Sequence, residues 1–364
     1  MTIPETIDRP ILMTGFPGFL ATHLVETLAQ HTEASLDLLV LASEFEQASR
    51  RLARLIEEYP SLQGRARLVR GDITREALGL SKADHERLRE TVGVVWHLAA
   101  IYDLAVPRDV AFKVNVGGTR HVLDFCEACT NLERLNYVST CYVSGDRRGT
   151  FREDELDLGQ GFKNHYEETK FWAEVEVQRR ASEIPTTIFR PGITVGDSRT
   201  GATEKFDGPY YVFGLLERLP EWLPIPNVGR GEAKVNIVPI DVLVAALAAL
   251  GHEAGNEGQV FQLADPNPMR SRDIIERTLE HMGRNPAVGS VPESWVEKAL
   301  ANTQLESWTG VPQEALAYFN HPAHYDTRKA TAALARHGIE FPHLSFYLPT
   351  LLDAFARRDE APHS

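Results

Sequence analysis

The sequence has few cysteines and no long apolar run. Three cysteines in 364 residues are too few for a disulfide framework, which favours a reducing compartment such as the cytoplasm. No apolar run approaches the roughly 20 residues that a membrane span needs, and residues 1–10 lack the apolar core of a signal peptide. We therefore expect a soluble, cytoplasmic protein without a membrane span.

Basic residues are also scarce relative to acidic ones. The chain has 38 Lys and Arg against 51 Asp and Glu, a formal net charge of −13. Nucleic acids and anionic membranes are bound through clustered basic residues, so this balance argues against both as the main partner. The sequence also lacks internal repeats and low-complexity tracts.

Residues with the spacing of a metal site are few as well. Cys126 and Cys129 have C-x-x-C spacing, but no second Cys or His pair lies at zinc spacing, and a redox motif would precede its helix. We interpret them as core thiols. His321 and His324 are interpreted as loop residues, so we expect no metal.

A glycine-bearing turn near the N-terminus organises the rest of the sequence. An apolar run from Ile11 reaches Gly15 and Gly18, and a good helix former follows from Thr22 to Gln30. Gly15 would let the chain reverse, and Gly18 would let backbone approach a phosphate at the helix N-terminus. Ala21 is the third small position, for close helix–strand packing. Ordinary strand-to-helix turns carry glycines too, so this motif alone does not decide.

Apolar segments then alternate with helical ones. This rhythm implies parallel βαβ units with right-handed crossovers, and so a doubly wound α/β sheet. A charged helix is expected from Glu44 to Glu58, and another begins near Val110. The expected later strands are Leu36–Leu41, Ala66–Gly71, Gly93–Ala100 and Arg134–Ser139.

The end of the second strand usually determines cofactor choice. An acidic residue there holds the adenosine ribose, whereas arginine accommodates a 2′-phosphate. Here Glu44 could face the ribose, while Arg50 and Arg51 lie one or two turns into the helix. We interpret the two arginines as part of a solvated helix face.

A tyrosine and a lysine carry the candidate chemistry. Tyr166 and Lys170 are spaced i, i+4, so on a helix they share a face. An ammonium group there would lower the phenol pKa and let Tyr166 exchange a proton with a substrate oxygen. Thr140, at the end of the fifth strand, could donate a hydrogen bond to the same oxygen.

Taken in order, these segments resemble the extended short-chain dehydrogenase/reductase superfamily. Within it, the chain is most similar to the branch of thioester reductase domains and fatty acyl-CoA reductases, with its male-sterility-type NAD-binding domain. The resemblance covers most of the chain. Three segments point to the branch: Val138–Val143, Gly196–Gly201 and Val235–Asp241. The superfamily motifs are Thr14–Leu20, Asp72–Ile73, His97–Ala100, Asn115, Tyr166-x-x-x-Lys170 and Arg190–Ile193.

This resemblance implies roles for individual residues. Thr140, Tyr166 and Lys170 would be the catalytic triad, and Asn115 would support the geometry of the active site. The residues that would hold the cofactor are Thr14, Gly15, Phe16, Pro17, Gly18, Phe19, Leu20, Ser43, Asp72, Ile73, Leu98, Ala99, Ala100, Tyr166, Lys170, Pro191, Gly192 and Ile193. A core-packing role for Ala99 and Ala100 fits the sequence equally well.

One departure bears on the cofactor. Relatives in this branch commonly have arginine at the end of the second strand, whereas this chain has Leu41. The usual partner of a 2′-phosphate is therefore missing. The resemblance implies NADP(H) or NAD(H), with only a slight preference for NADP(H).

The expected fold is a Rossmann domain with a smaller substrate-binding lobe. We assign residues 1–193 and 233–264 to the dinucleotide-binding domain, and residues 194–232 and 265–364 to the lobe. Tyr210, Tyr211, Phe213 and Trp222 could line an apolar substrate site, although packing is the simpler role for each aromatic side chain.

The predicted function is NAD(P)H-dependent reduction of an activated carbonyl, most simply an acyl thioester on coenzyme A or a carrier protein. Arg147, Arg148 and Arg152 form a basic patch that could meet an acidic carrier protein. Two alternatives keep the fold: a ketone or aldehyde reductase, and an NAD-dependent sugar-nucleotide epimerase or dehydratase. A non-catalytic dinucleotide sensor is a third, which has no need for a tuned phenol. A monomer and a homodimer are both compatible with the sequence.

Overall fold

Seven parallel strands form the central sheet of the computed structural model, which describes residues 9–102, 106–292, 295 and 321–358. The sheet contains β1 (Ile11–Thr14), β2 (Leu36–Val40), β3 (Ala66–Arg70), β4 (Val94–His97), β5 (Arg134–Val138), β7 (Thr186–Pro191) and β11 (Val260–Leu263). Their spatial order is β11-β7-β5-β4-β1-β2-β3. The expected doubly wound parallel sheet is confirmed.

Helices cover both faces of this sheet. One face packs on α1 (Phe19–His31), α2 (Phe45–Glu58), α8 (Ile240–His252) and α10 (Arg328–Ala335). The other packs on α3 (Lys82–Thr91), α5 (Gly118–Ala128) and α6 (His165–Arg180). Because both faces are covered, strands such as β1 are buried along their whole length, which explains their near-continuous apolar sequences.

The helix expected near Val110 contains an irregular segment. It begins as α4 (Arg108–Ala111), continues as a π-helix over Phe112–Gly117, and becomes α5. The apolar pattern predicted the helix but not this change of pitch. Strand β4 also ends earlier than expected, at His97 rather than Ala100, so that the following residues leave the sheet.

A second apolar core lies outside the sheet. It unites α7 (Pro209–Arg218), α9 (Ser271–His281) and α11 (Leu348–Ala356). Three short parallel pairs complete the described structure: β8 (Ile193–Val195) with β10 (Ile237–Pro239), β9 (Asn227–Val228) with β12 (Ser290–Val291), and β6 (Gly149–Phe151) with β13 (Ala323–Tyr325). No helix among the described residues is long and apolar enough to cross a membrane.

The two cores do not follow the expected division of the chain at every point. Val235 and Ile237, assigned to the Rossmann domain, pack in the second core. Ala330 and Leu334, assigned to the lobe, pack against the sheet. The division into 1–193 plus 233–264 and 194–232 plus 265–364 therefore stays a prediction.

Several of the expected loop and core residues lie in buried positions. Cys126 is fully buried in the core under α5, and Cys129 packs at its edge, partly exposed. His324 lies within β13, so its interpretation as a loop residue was wrong. His321 precedes that strand but is buried, with its ring nitrogens within hydrogen-bond distance of Ser144 and Lys163. Among the described residues, no cluster of His, Cys, Asp and Glu could hold a metal ion.

Candidate active site

A cleft of about 590 Å³ lies at the carboxyl ends of β1 and β4. The chain runs outward from β1 through β2 to β3 and then crosses back to β4 on the other side of β1. The strand order therefore reverses between the neighbouring strands β1 and β4. In open α/β sheets, ligands bind at such a reversal. The fold therefore places the cleft where a dinucleotide is expected.

The glycine turn forms one wall of this cleft, and all of Thr14–Leu20 line it. Gly15 has φ +98°, and a Cβ there would lie 2.9 Å from the backbone nitrogen of Ala99. Gly18 precedes α1 without a side-chain cap, and a Cβ on it would lie 2.7 Å from the Gly15 oxygen. This leaves the first N–H groups of α1 available to an anion, as a pyrophosphate requires.

A buried chain of hydrogen bonds holds the ends of β1 and β4 together. Thr14 Oγ1 lies 2.8 Å from His97 Nδ1, and His97 Nε2 lies 3.0 Å from Thr119 Oγ1. The Ala99 amide also donates to Thr14 Oγ1, at 3.2 Å. Burial, assisted by the charge of Lys170, lowers the pKa of His97 to about 3. His97 is therefore a neutral, structural imidazole.

The rest of the cleft contains most of the cofactor residues expected from sequence. Leu98, Ala99 and Ala100 are partly exposed and line the wall after β4, and Asp72 and Ile73 line the far end. Pro191, Gly192 and Ile193 line the cleft after β7. Ser43 is exposed and does not line it; Leu41, Glu44 and Gln47 lie there instead, because Ala42–Glu44 form a 3₁₀ turn.

Thr140, Tyr166 and Lys170 meet at the opposite end of the cleft. Thr140 follows β5 and caps a 3₁₀ turn, accepting a hydrogen bond from the Tyr142 amide at 3.3 Å. Tyr166 and Lys170 lie one turn apart on α6, which Asn164 caps by accepting from the Glu167 amide at 2.9 Å. Lys170 Nζ donates to the Val138 carbonyl at 2.7 Å.

The electrostatics of this trio differ from the sequence-based expectation. Burial raises the pKa of Tyr166, a hydrogen bond with Thr140 opposes the rise, and the charges of Glu167 and Asp207 add to it. Burial lowers the pKa of Lys170 to about 8, against the attraction of Glu174. The phenol pKa is therefore raised rather than lowered, because loss of hydration and two nearby carboxylates outweigh the hydrogen bond with Thr140.

Asn115 lies in the π-helical segment and does not line the cleft. Its Oδ1 accepts from the Ile101 amide at 2.8 Å, and its Nδ2 donates to the Ile101 carbonyl at 3.3 Å and to Thr169 Oγ1 at 3.0 Å. Asn115 thus ties the wall after β4 to α6. This arrangement agrees with a supporting role.

A fully buried ion pair fixes α6 from behind. Arg190 Nη2 lies 2.6 Å from Glu174, and neither side chain is exposed to solvent. Ser139 Oγ donates to the same carboxylate at 2.5 Å. The Glu174 carboxylate therefore links α6, the helix that also carries Lys170, to Ser139, the residue before Thr140.

Sequence reasoning missed several residues of the cleft. Tyr102, Tyr142, Lys205 and Asp207 line it beside Tyr166. Lys205 Nζ lies 3.9 Å above the Tyr102 ring and 2.9 Å from Asp207. Tyr142 lies within Val138–Val143, a segment already singled out in the sequence, so that segment could have indicated Tyr142 as a residue of the cleft.

The aromatic residues expected to form the substrate wall lie elsewhere. Tyr210 and Phe213 are buried in the second core, and Trp222 is 77% exposed. Tyr211 does not line the cleft either. The packing role is therefore the correct one for Tyr210 and Phe213.

The described residues suit a nicotinamide dinucleotide. The glycine turn leaves room for backbone to approach a pyrophosphate, the α1 N-terminus faces it, and the cleft continues from Asp72 to Tyr166. The protein supplies both an anion site and a proton-bearing phenol at opposite parts of one cleft.

Comparison with known proteins agrees with this geometry. The terminal R domain from the myxalamid PKS-NRPS biosynthetic pathway superposes with a TM-score of 0.81 and 27% identity, covering 97% of this chain and 92% of that domain. Fatty acyl-CoA reductase wat of Drosophila melanogaster is 28% identical over 277 residues, which cover 66% of this chain and 54% of the reductase. Glycine betaine reductase ATRR of Emericella nidulans is 28% identical over 290 residues, which cover 74% of this chain and 22% of that reductase. The chain therefore spans about half or less of the length of these two reductases.

The family comparison runs from within β1 into α8 and leaves out the edge strand β11. Residues 13–247 match the family described as male sterility protein, a family of NAD-binding domains. The matched range contains the glycine turn, Thr140, Tyr166 and Lys170. The chain belongs to the male sterility protein family of NAD-binding domains, with the fold of the extended short-chain dehydrogenases/reductases.

Proposed function

We propose that this chain is a reductase that transfers hydride from a nicotinamide dinucleotide to the carbonyl carbon of an acyl thioester. The observation that carries the proposal is a buried, protonated Tyr166 beside Thr140 at one end of the cleft that begins at the glycine turn. Similarity to a fatty acyl-CoA reductase and to an R domain supports the thioester as the substrate class.

The residues of the cleft divide the work of this reaction. A bound reduced nicotinamide would supply the hydride. Tyr166 donates its phenolic proton to the carbonyl oxygen, and Thr140 orients that oxygen by a hydrogen bond. Lys170, charged below pH about 8, would hold the nicotinamide ribose and support the phenolate that remains.

The overall reaction balances with one hydride and one proton. They add to the carbonyl carbon and oxygen, and cleavage of the C–S bond then releases an aldehyde and a free thiol. A second hydride and a second proton would convert the aldehyde to an alcohol. The thiol is that of coenzyme A or of a carrier protein.

The slight preference for NADP(H) finds no supporting contact among the described residues that line the cleft. Leu41 lines the cleft where relatives commonly have arginine. The proposed function therefore requires a nicotinamide dinucleotide and does not depend on whether it is NAD(H) or NADP(H).

A cofactor oxidation assay tests the proposed function. NADH and NADPH are each mixed with the protein and a panel of acyl-CoA thioesters, aldehydes and ketones, while a thiol reagent measures the released thiol. We expect thioester-dependent cofactor oxidation with an equal amount of free thiol at the first hydride transfer. Oxidation with ketones and none with thioesters would contradict the proposal.

A further inference from the structure

Among the residues that the structure describes, the end of the cleft opposite Tyr166 contains a carboxylate, that of Glu44, and no cation. Glu44 lines it together with Leu41 and Gln47, directly after β2. In dinucleotide-binding sheets this position meets the adenosine ribose, where a carboxylate accepts hydrogen bonds from the ribose hydroxyls. Among the described residues that line the cleft, the cations are Lys170 and Lys205, and both lie at the catalytic end.

The arginines near this end already have partners. Arg50 Nη1 lies 2.5 Å from Glu46, and the Arg70 guanidinium lies 4.3 Å above the Phe45 ring. Arg51 is one turn after Gln47 on α2, so it shares the face that reaches the cleft. Both of its terminal nitrogens bind Glu204, at 2.5 and 2.8 Å.

Further carboxylates lie in the region of Arg51. Burial raises the pKa of Glu26; the charges of His23 and Arg51 lower it, and those of Glu58 and Glu204 raise it. Arg51 therefore lies near two carboxylates, those of Glu26 and Glu204, and Glu26 in turn lies near Glu58. A phosphate would add negative charge to a region where acidic groups already outnumber this guanidinium, and like charges repel.

We propose that this chain binds NAD(H) in preference to NADP(H), because Glu44 accepts hydrogen bonds from the ribose hydroxyls and Glu204 withholds Arg51 from a 2′-phosphate. Glu44 and Glu204 are thus the residues that determine cofactor specificity. The inference rests on the proposed function only in placing a nicotinamide dinucleotide in this cleft.

Binding measurements without any acyl substrate test this proposal. Titration calorimetry on the full chain gives separate dissociation constants for NADH and NADPH. We expect NADH to bind at least about tenfold more tightly. Glu44→Gln should narrow the ratio of the two dissociation constants by about fivefold to tenfold. NADH should bind more weakly because the carboxylate acceptor of the ribose hydroxyls is lost, and NADPH more tightly because one like charge is removed.

Two further variants separate the contributions. Glu204→Gln should also tighten NADPH binding, because it releases Arg51, and adding Arg51→Gln should remove that gain. Glu57→Gln is the matched control. It removes the same charge from the other end of α2, about 20 Å away along the helix. The ratio of the NADH and NADPH dissociation constants should therefore stay unchanged.

Three results would overturn the inference: tighter binding of NADPH by the unaltered chain, selective loss of NADPH affinity in Arg51→Gln alone, or an unchanged ratio in Glu44→Gln. Failure of the proposed function is distinguishable from these. A chain that prefers NADH but releases no thiol from any thioester would retain the specificity and lose only the proposed reaction.

Discussion

Tyr166 can donate a proton because its phenol is protonated at neutral pH. Burial raises the pKa of its phenol, and Thr140 only partly offsets this. A carbonyl that receives a hydride needs a proton at its oxygen, so a phenol that stays protonated at neutral pH serves reduction. A phenol of ordinary pKa is also protonated at neutral pH, so the position of Tyr166 beside Thr140 in the cleft, rather than the direction of the shift, makes it the candidate proton donor.

Tyr166→Phe should abolish most of the turnover. The substitution removes the acidic proton and keeps the ring that packs edge-on against Tyr102, with ring centroids 4.8 Å apart. We expect kcat to fall by about 10²- to 10⁴-fold, the usual contribution of a general acid. Calorimetry should show a cofactor dissociation constant within about twofold of the original. Substantial remaining turnover would refute the role of Tyr166.

The protonation of Lys170 should appear in the pH profile. Burial lowers the pKa of Lys170 to about 8, so the ammonium is present below that pH and is lost above it. We expect kcat/KM to fall by about tenfold per pH unit above pH about 8.

Steady-state rates from pH about 6 to 10 would show this limb. Lys170→Arg provides the comparison, since a guanidinium stays charged over this range. A lower but flat profile in this variant is expected. An alkaline limb that persists unchanged in Lys170→Arg would assign the titration to another group.

At the scale of elements, the π-helical segment over Phe112–Gly117 determines where Asn115 points. A π-turn places an extra residue in the helix and rotates the residues after it, and such turns are common at functional sites. Asn115 reaches both the chain after β4 and Thr169 on α6. The irregularity therefore connects two walls of the cleft.

Asn115→Ala should weaken both the fold and the site. It leaves the partly buried Ile101 amide and the buried Thr169 hydroxyl without this partner, which costs about 1–3 kcal/mol in the free energy of unfolding. Urea denaturation would measure this loss, and kcat should fall while Tyr166 and Lys170 remain.

Asn131→Ala is the matched control, because Asn131 is exposed and its Nδ2 donates to the Glu90 carbonyl at the surface. It should change the unfolding free energy by less than about 0.5 kcal/mol. Equal losses in both variants would contradict the structural importance assigned to Asn115.

At the scale of the whole molecule, two cores meet at the cleft. The sheet and its helices hold the glycine turn, Thr140, Tyr166 and Lys170, whereas the second core packs α7, α9 and α11 beside them. Lys205 and Asp207, just before α7, extend from this second part into the cleft. The residues proposed to bind the cofactor therefore depend mainly on the sheet, and the outer wall of the cleft depends on the second core.

Phe355→Ala should test this separation. Phe355 is 5% exposed and contacts Tyr210 and Phe213, with ring centroids 5.8 and 6.0 Å away. Its truncation should lower the free energy of unfolding by about 3 kcal/mol and raise KM for the acyl substrate. The cofactor dissociation constant should change by less than about twofold.

Phe346→Ala is the matched control for this prediction, because Phe346 is 80% exposed. Thermal or urea denaturation should show almost no change in the free energy of unfolding for this variant. A large change of cofactor affinity in Phe355→Ala would show that the two cores are not separable in this way.

Local patterns predicted much of the fold and most of the cleft. The starts of β2, β3, β4 and β5 agree with the expected ones within one residue. The spacing of Tyr166 and Lys170 also predicted a shared helix face, since a helix brings i and i+4 together regardless of the rest of the molecule. The cytoplasmic location and the choice between monomer and homodimer stay predictions.

The parallel sheet, the glycine turn and the candidate catalytic trio could be predicted from sequence alone, because each depends on residues close together in the chain or on a regular alternation of elements. Packing of the whole chain sets the contacts between distant segments, such as Arg51 with Glu204, 153 residues apart. It also sets the sign of the Tyr166 pKa shift. Burial is a property of the packed molecule, and no spacing along the chain contains it.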